Sequence, residues 1–586
     1  MSQLNQADQA GKPDQEEHDE RKTGELQAMQ KNQEASPRED GELVKEILTA
    51  AGLAAQRLAG RSAEEVLRDD PESCQALVEC STTIGESARD ISEMMRNWAS
   101  HIPWDSLTQL GASQKTDVEV DLVCRFLRDE YPSAATALAE MWEPEHLHRP
   151  VDADEEYALD KNTYDFYRPA GRDLLRRTED FHGWVQARRR TETWQYSRVL
   201  EQAPGNHAVI TNDVGRRTRG INFNSQDYLS LNSHPAIHEA AARALRDYGP
   251  HSAGSPMALG NTTISNELEE VLGALVGAEH VTLFPTGWAA GFGTVVGLVR
   301  PEDHVVIDRF AHACLQQGAR AATRNVRRYE HLSVDAVRSH LREIRAQDVR
   351  NGILVVTDGL FSVDADWPDL VALQNVCHEH NATLLVDVAH DLGATGPGGS
   401  GVLGMQKMLG QVDLVMGAFS KSFASNGGFL ASKSPAVKQY VKMFGGSHIF
   451  SNALSPVQTA VVLTAAKIIR SPEGDELRGR LFQAIDALRD ELSGRGLTCM
   501  GFASPLVPVL IGNEKLARVT NRLVFDQGVL AFMVEFPVTP AGASRFRLQV
   551  QAGHRPEEAR EAAQIIDRSI TEARAYLSTA FGSDLA

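Results

Sequence analysis

Five short runs of β-branched and other apolar residues recur along the chain: HVTLF at 280–284, HVVID at 304–308, GILVVTD at 352–358, TLLVDVA at 383–389 and DLVMGAF at 413–419. Between them lie stretches with helical periodicity. Runs this unbroken, without a polar residue at every second position, suit strands covered on both faces, and the intervening helices are the crossovers a parallel sheet requires. From about residue 165 onward the chain is therefore expected to be α/β, a mainly parallel sheet between two layers of helices. Ligands in such sheets bind just past the carboxyl ends of the strands. The residues with the most chemistry lie there.

The chain has 586 residues, too many for one ordinary domain. Residues 1–40 are Gln, Asp, Glu, Lys and Ser with few large apolar groups, and the composition predicts a disordered acidic and polar tail. Over 41–145 the apolar residues fall at helical spacing, as at Leu43, Ile47 and Ala51, and Ser62 with Glu65 forms a capping-box signature. An all-α accessory domain is expected, followed by an acidic linker at 146–164. The net charge of -20 argues against nucleic acid or an anionic membrane as partner. Six cysteines without CxxC spacing suggest neither a zinc site nor a disulfide framework, which fits a reducing cytoplasm. No apolar run reaches the ~20 residues of a membrane helix, and the opening residues lack the apolar stretch of a signal peptide.

At the strand ends, FPTGWAAG leads from a strand into a helix, so the backbone N–H groups of Thr286, Gly287 and Trp288 could hold an anion; a plain strand-to-helix turn reads the same way. Asp387 ends the apolar LLVD run, with His390 three residues on. A carboxylate there needs a cationic partner, such as a protonated ring nitrogen, or serves as a turn cap. His312 follows Asp308 and could lie flat over a planar cofactor or be a structural histidine. Lys421, in GAFSKSFASNGGF, comes 34 residues after Asp387 at the next strand end. Desolvation would favour its free amine, the form that makes an imine; snorkelling is the ordinary alternative.

Taken in order, LFPTGWAAG, DRFAHACLQQG, TDGLFSVDAD, VDVAHDLGATGPGGSG, GAFSKSFASNGGF, HIFSNALSP and RFRLQVQAGH resemble the α-oxoamine synthases, with the match running from about 165 to 580. These are fold-type-I pyridoxal 5'-phosphate (PLP) enzymes of the class I/II aminotransferase fold, which join an amino acid to an acyl thioester with loss of carbon dioxide. The resemblance implies an N-terminal segment of the synthase at 165–230, a PLP-binding large domain at 231–460 and a smaller α+β C-terminal domain at 461–586. It implies that Lys421 forms the Schiff base, that Asp387 pairs with the pyridine nitrogen, that His390 meets the phenolic oxygen and that His312 stacks on the ring. Thr286, Gly287, Trp288 and Ser420 would hold the phosphate end, with Ser451 and Asn452 reaching in from the second subunit of a homodimer with shared sites. Arg547 matches the arginine that binds the substrate carboxylate, Gln226 stands near the same group, and Ser362 is the serine of its block.

Several positions depart from the family pattern. Ala418 replaces a phosphate-side threonine, leaving Ser420 or Ser422 to supply the hydroxyl; Pro256, Ser265 and Gly291 stand where arginine, histidine and asparagine are usual. The expectation is a decarboxylative condensation of a small amino acid with an acyl thioester, on CoA or a carrier protein, to an α-amino ketone in a biosynthetic pathway, with an unusual acyl partner. Transamination or β-elimination on the same fold, or a non-catalytic scaffold, are the alternatives. In the helical region, HIPWDSLTQLG holds a DSL triplet like the phosphopantetheine attachment motif, for which a helix N-cap at Ser106 is the plainer account. Docking of an acylated carrier protein, or support of a dimer, is the role expected of that region.

Overall fold

The structure is a computed structural model, and it describes residues 40–58, 63–91, 96, 102, 104–112, 116–127 and 154–581. The tail expected at 1–40 falls, apart from Asp40, outside the described residues, as does Ser62 of the capping box. The chain divides into two compact units, residues 1–96 with 101–143, and 97–100 with 144–586.

In the first unit the described residues form helices at Asp40–Leu58, Ala63–Asp69, Pro71–Asp90, Trp104–Gln109 and Thr116–Arg125. Leu43, Ile47 and Ala51, four residues apart, are all fully buried, as the helical period requires. Asp70 caps the Pro71–Asp90 helix by accepting the N–H of Ser73 at 3.0 Å. Two backbones touch at Gly85: a Cβ there would come 1.8 Å from the carbonyl oxygen of Leu110. Ser106 is the third residue of its helix, so it is not a cap; the helix begins at Trp104, whose buried indole anchors that turn.

The second unit is built on a seven-stranded sheet of β4 (His280–Phe284), β5 (His304–Asp308), β6 (Val326–Tyr329), β7 (Ile353–Asp358), β8 (Thr383–Asp387), β9 (Leu414–Ala418) and β10 (Gly428–Ser432), in the order β4-β10-β9-β8-β7-β5-β6. Only β10 runs antiparallel to its neighbours. Successive residues feed two separate cores. Val305, Ile307, Leu354 and Val356 pack on one face, and Val306 and Val355 on the other. Every residue of β7 is buried, which accounts for a strand without polar alternation. A C-terminal antiparallel sheet has the order β11 (Leu506–Gly512), β14 (Ser544–Gln549), β13 (Phe532–Val534). A third, smaller sheet joins β1 (Val199–Leu200), β2 (His207–Thr211) and β3 (Arg217–Asn222) to β12 (Val529–Leu530), tying the start of this unit to its end.

The stretch expected to be a linker, 146–164, is from Asp154 to Asp160 a helix whose Ala158 and Leu159 are buried. Its acidic composition hides an anchor: Arg518 donates to the carbonyl of Leu159 at 2.5 Å, and Lys515 pairs with Asp160. Nearby, Glu535 is held between Arg188 (3.1 Å) and Arg518 (2.7 Å), all three fully or almost fully buried, with Arg188 also 5.0 Å from the Trp184 ring. Burial works against the Glu535 carboxylate, and the two guanidinium groups overcome it, holding its pKa below the usual range. Removing the shared anion would leave two buried cations uncompensated. Glu535→Ala is expected to cost about 3–5 kcal/mol, measured as a lowered denaturation midpoint; a loss within about 1 kcal/mol, the size of a surface ion pair, would show that the cluster is structurally idle.

Candidate active site

The segments that follow β4, β5, β7, β8 and β9, and the one leading into β10, line a single cavity of about 220 Å³. This is the geometry the parallel strands impose, since their carboxyl ends open on one side. Of the site residues read from the sequence, Thr286, Gly287, Trp288, His312, Asp387, His390, Ser420 and Lys421 line it.

Thr286 caps the helix Gly287–Leu298, its hydroxyl accepting the N–H of Ala289 at 3.0 Å and its carbonyl that of Ala290 at 3.1 Å. The N–H groups of Gly287 and Trp288, at the positive end of the helix dipole, are left for the cavity. His312 caps the helix Ala313–Ala322: its Nδ1 accepts the backbone N–H of Cys314 at 3.3 Å and lies 3.0 Å from that residue's Sγ. An Nδ1 that accepts leaves the proton of the neutral ring on Nε2. Burial keeps the ring neutral by lowering its pKa, despite the nearby Asp387.

Asp387 is the last residue of β8, in register with Asp358 on β7 and Met416 on β9. It is 5% exposed, and its carboxylate accepts the N–H of Ala389 at 2.9 Å. Lys421, 8% exposed, stands three residues beyond β9. Burial raises the pKa of Asp387 and lowers that of Lys421, each favouring the neutral form, while their mutual attraction opposes both shifts. Among the described residues neither forms an ion pair. A buried carboxylate without a cation, and a buried amine beside it, fit a cofactor that brings a protonated ring nitrogen and an aldehyde. His390, buried and held well below its usual pKa by desolvation, has its Nδ1 2.9 Å from the hydroxyl of Tyr228.

Gln226, Ser362, Ser451, Asn452 and Arg547 do not line this cavity. Arg547, on β14, donates through Nε to the carbonyl of Ser362 at 2.5 Å. Ser451 is half-buried and Asn452 exposed, in the segment before the helix Pro456–Ile469. Of the two candidate hydroxyls beside Lys421, Ser420 lines the cavity, whereas Ser422 is buried against Gly393. Ser265, in place of a histidine, closes a capping box with Thr262. Asp358, Cys314, Asn426 and the Tyr228 hydroxyl behind His390 were not anticipated as parts of the site. Asp358 had a legible signal, a carboxylate ending an apolar strand as Asp387 does; the others had none.

The loop carrying Ser362 is clamped. His331 binds Asp308, at the end of β5, through Nδ1 at 2.9 Å, and both oxygens of Asp366 through Nε2 at 3.2 Å. Phe310 and Phe361 flank its ring, with centroids 4.7 and 4.4 Å away. Arg545 pairs with Asp364 in the same loop.

Residues 218–566 match the family model described as aminotransferase class I and II. The chain is 30% identical over 384 residues to the 8-amino-7-oxononanoate synthase of Citrifermentans bemidjiense, covering 66% of this chain and 96% of that one. It is 33% identical over 381 residues to the serine palmitoyltransferase of Sphingobacterium spiritivorum, covering 65% and 92%. Serine palmitoyltransferase from S. paucimobilis, solved with bound PLP and myriocin, superposes with a TM-score of 0.64 at 27% identity, over 69% of this chain and 99% of that one. The chain belongs to the α-oxoamine synthases, within the class I and II aminotransferases. It is a PLP-dependent enzyme of the acyltransferase type, with the fold-type-I architecture that the resemblance implies. Among the described residues no helix is long and apolar enough to cross a membrane.

His331 gives the synthase a pH signature. Burial opposes its charge, but the carboxylates of Asp308 and Asp366 outweigh that and raise its pKa to about 9. An imidazole near 6.5 when unfolded therefore stabilises the fold fully below pH 6.5 and loses that contribution as pH rises through about 9. Measured as Tm against pH, His331→Gln is expected to be less stable at pH 6, on the order of 2–3 kcal/mol, and to show a flatter decline between pH 6.5 and 9.5. Parallel profiles would rule the clamp out as the source.

Proposed function

We propose that the cavity condenses a small amino acid with an acyl thioester, releasing carbon dioxide and a thiol and yielding an α-amino ketone. The observation that carries this reading is the placement of Lys421 and Asp387, both buried, at neighbouring strand ends of one cavity. Bound PLP supplies the electron sink that delocalises charge from the amino-acid Cα. Asp387 would hold the ring nitrogen protonated, and the neutral His312 would lie against the ring face. His390, whose Nδ1 meets the Tyr228 hydroxyl, would meet the phenolic oxygen. Gly287, Trp288, Thr286 and Ser420 would take the phosphate, joined by Ser451 and Asn452 of a second copy.

Lys421 would anchor the cofactor, and its free amine would be the base that removes the Cα proton. Its lowered pKa favours the neutral amine that this step needs. Arg547 receives the substrate carboxylate, for which a planar fork is suited, and Ser362 and Gln226 border that end. In the balance of the reaction a Cα–C bond forms as the thioester C–S bond breaks; the thiol leaves with a proton, and the carboxyl group departs as carbon dioxide before Cα is reprotonated. The carrier of the acyl group is CoA or a carrier protein, and the departures at Pro256 and Gly291 support an acyl partner outside the common short chains.

The test is a visible absorption spectrum of the purified protein titrated with glycine, L-alanine and L-serine, followed by mass analysis of products with acyl thioesters. The lysine-linked cofactor is expected to absorb in the visible, to shift with one amino acid, and to be absent in Lys421→Ala, with turnover lowered at least about 10³-fold. A keto acid as product, with no carbon–carbon bond formed, would replace this reading by transamination.

A further inference from the structure

A phosphate dianion in this cavity has no arginine to meet it: Lys421 is the one lysine or arginine among the lining residues, and it is committed to the cofactor's other end. The charge must then be met by neutral donors, which makes each of them count. Two are the N–H groups of Gly287 and Trp288; those of Ala289 and Ala290 are already taken by Thr286. A third is the hydroxyl of Ser420.

The wall between them is apolar. Ala418, the last residue of β9, lies so close to the helix start that a Cβ on Gly287 would come 2.4 Å from its own Cβ. A methyl group therefore occupies the point from which a β9 side chain could have donated. The adjacent strand offers a substitute. Ala418 pairs in register with Gly428 on β10, and Asn426, two residues before Gly428, lines the cavity together with Gly427. Asn426 is exposed, and its side-chain amide makes no hydrogen bond to another described residue, so its two donors are available.

We infer that Asn426 is a cofactor-binding residue that donates its side-chain amide to the phosphate of PLP, supplying from the segment before β10 the donor that Ala418 cannot supply from β9. This rests on the reading above, in which the phosphate lies at the start of the helix Gly287–Leu298. It assigns Asn426 to phosphate recognition alone, with no part in holding the ring.

Pyridoxal, which has the aldehyde and ring but no phosphate, separates those roles. In the full-length protein stripped of cofactor, the dissociation constants of PLP and pyridoxal are read from visible absorbance for wild type, Asn426→Ala and the isosteric Asn426→Asp. Asn426→Ala is expected to weaken PLP about tenfold, as for the loss of a hydrogen bond to a charged group, and to leave pyridoxal within about twofold. Asn426→Asp, which sets a carboxylate against the phosphate, is expected to weaken PLP about a hundredfold with pyridoxal again unchanged. Equal losses for both ligands, or no loss for either in Asn426→Ala, would overturn the assignment while leaving the role of Lys421 intact. Absence of the visible band in wild type with either ligand would instead remove the reading of the site itself. Thermal melts of the cofactor-free variants, matched to wild type, show that the fold is kept.

Discussion

The structure turns on two opposite charges placed where neither is comfortable. Asp387 and Lys421 sit at neighbouring strand ends, buried, with no ion pair among the described residues to satisfy either. Burying an ion costs several kcal/mol even after relaxation, and both groups are pushed toward neutrality. A fold tolerates that only when it uses it. The parallel register of β7, β8 and β9 sets Asp358, Asp387 and Met416 side by side, so the carboxylate cannot escape to solvent without breaking the sheet. In the proposed reading, a bound group with a cationic ring nitrogen would relieve Asp387 and a bound aldehyde would consume the amine of Lys421, so that the cofactor would complete the electrostatics of the sheet as well as supply chemistry.

A second carboxylate sharpens the point. Asp358 is buried beside Asp387, and desolvation together with its neighbour's charge pushes its pKa well above the usual range. Two adjacent carboxylates facing one cation cannot both stay ionised. Burial and the neighbouring Asp387 carboxylate therefore both favour the protonated form of Asp358. Its Oδ1 also accepts the backbone N–H of His312 at 3.3 Å, so the same residue fixes the segment that presents His312. Positioning continues outward from there. Asp308, His331 and Asp366 tie the end of β5 to the loop that carries Ser362, and Arg547 and Arg545 of β14 meet that loop from the C-terminal sheet. Two sheets are in this way held to one loop at the rim of the site.

Much of this was legible in the sequence because parallel strands announce themselves as apolar runs and their ends as the places where a polar residue first intrudes. Asp387, Lys421, His312 and His390 stand out that way as candidates, and all four line the cavity. What escaped follows from the same physics. β10, GFLAS, is short and rich in small residues, and β6, VRRY, is an edge strand with two arginines, so neither reads as an apolar run. Asn426 precedes β10 and became visible only once the antiparallel pairing set that strand's mouth beside β9. Tyr228 lies 162 residues from His390 in sequence, and no local pattern predicts that contact. The helix at Asp154–Asp160 reads as linker because its charges dominate its composition, whereas its burial rests on Ala158 and Leu159.

The departures from the family pattern have physical reasons that differ from one another. Ser265 is absorbed into a helix cap, a framework duty that takes it out of the site. Gly291 creates room: a Cβ there would come 2.5 Å from Cys314 Sγ, so the sulfur beside Nδ1 of His312 and the glycine opposite it stand or fall together. Ala418 and Gly287 form a second such pair, methyl against bare backbone. In each pair a small residue on the helix Gly287–Leu298 admits a group from a neighbouring segment, the Cys314 sulfur in one and the Ala418 methyl in the other. At the helix start the Ala418 methyl faces Gly287, and the lining there offers backbone N–H groups, the Ser420 hydroxyl and the Asn426 amide in place of a cationic side chain.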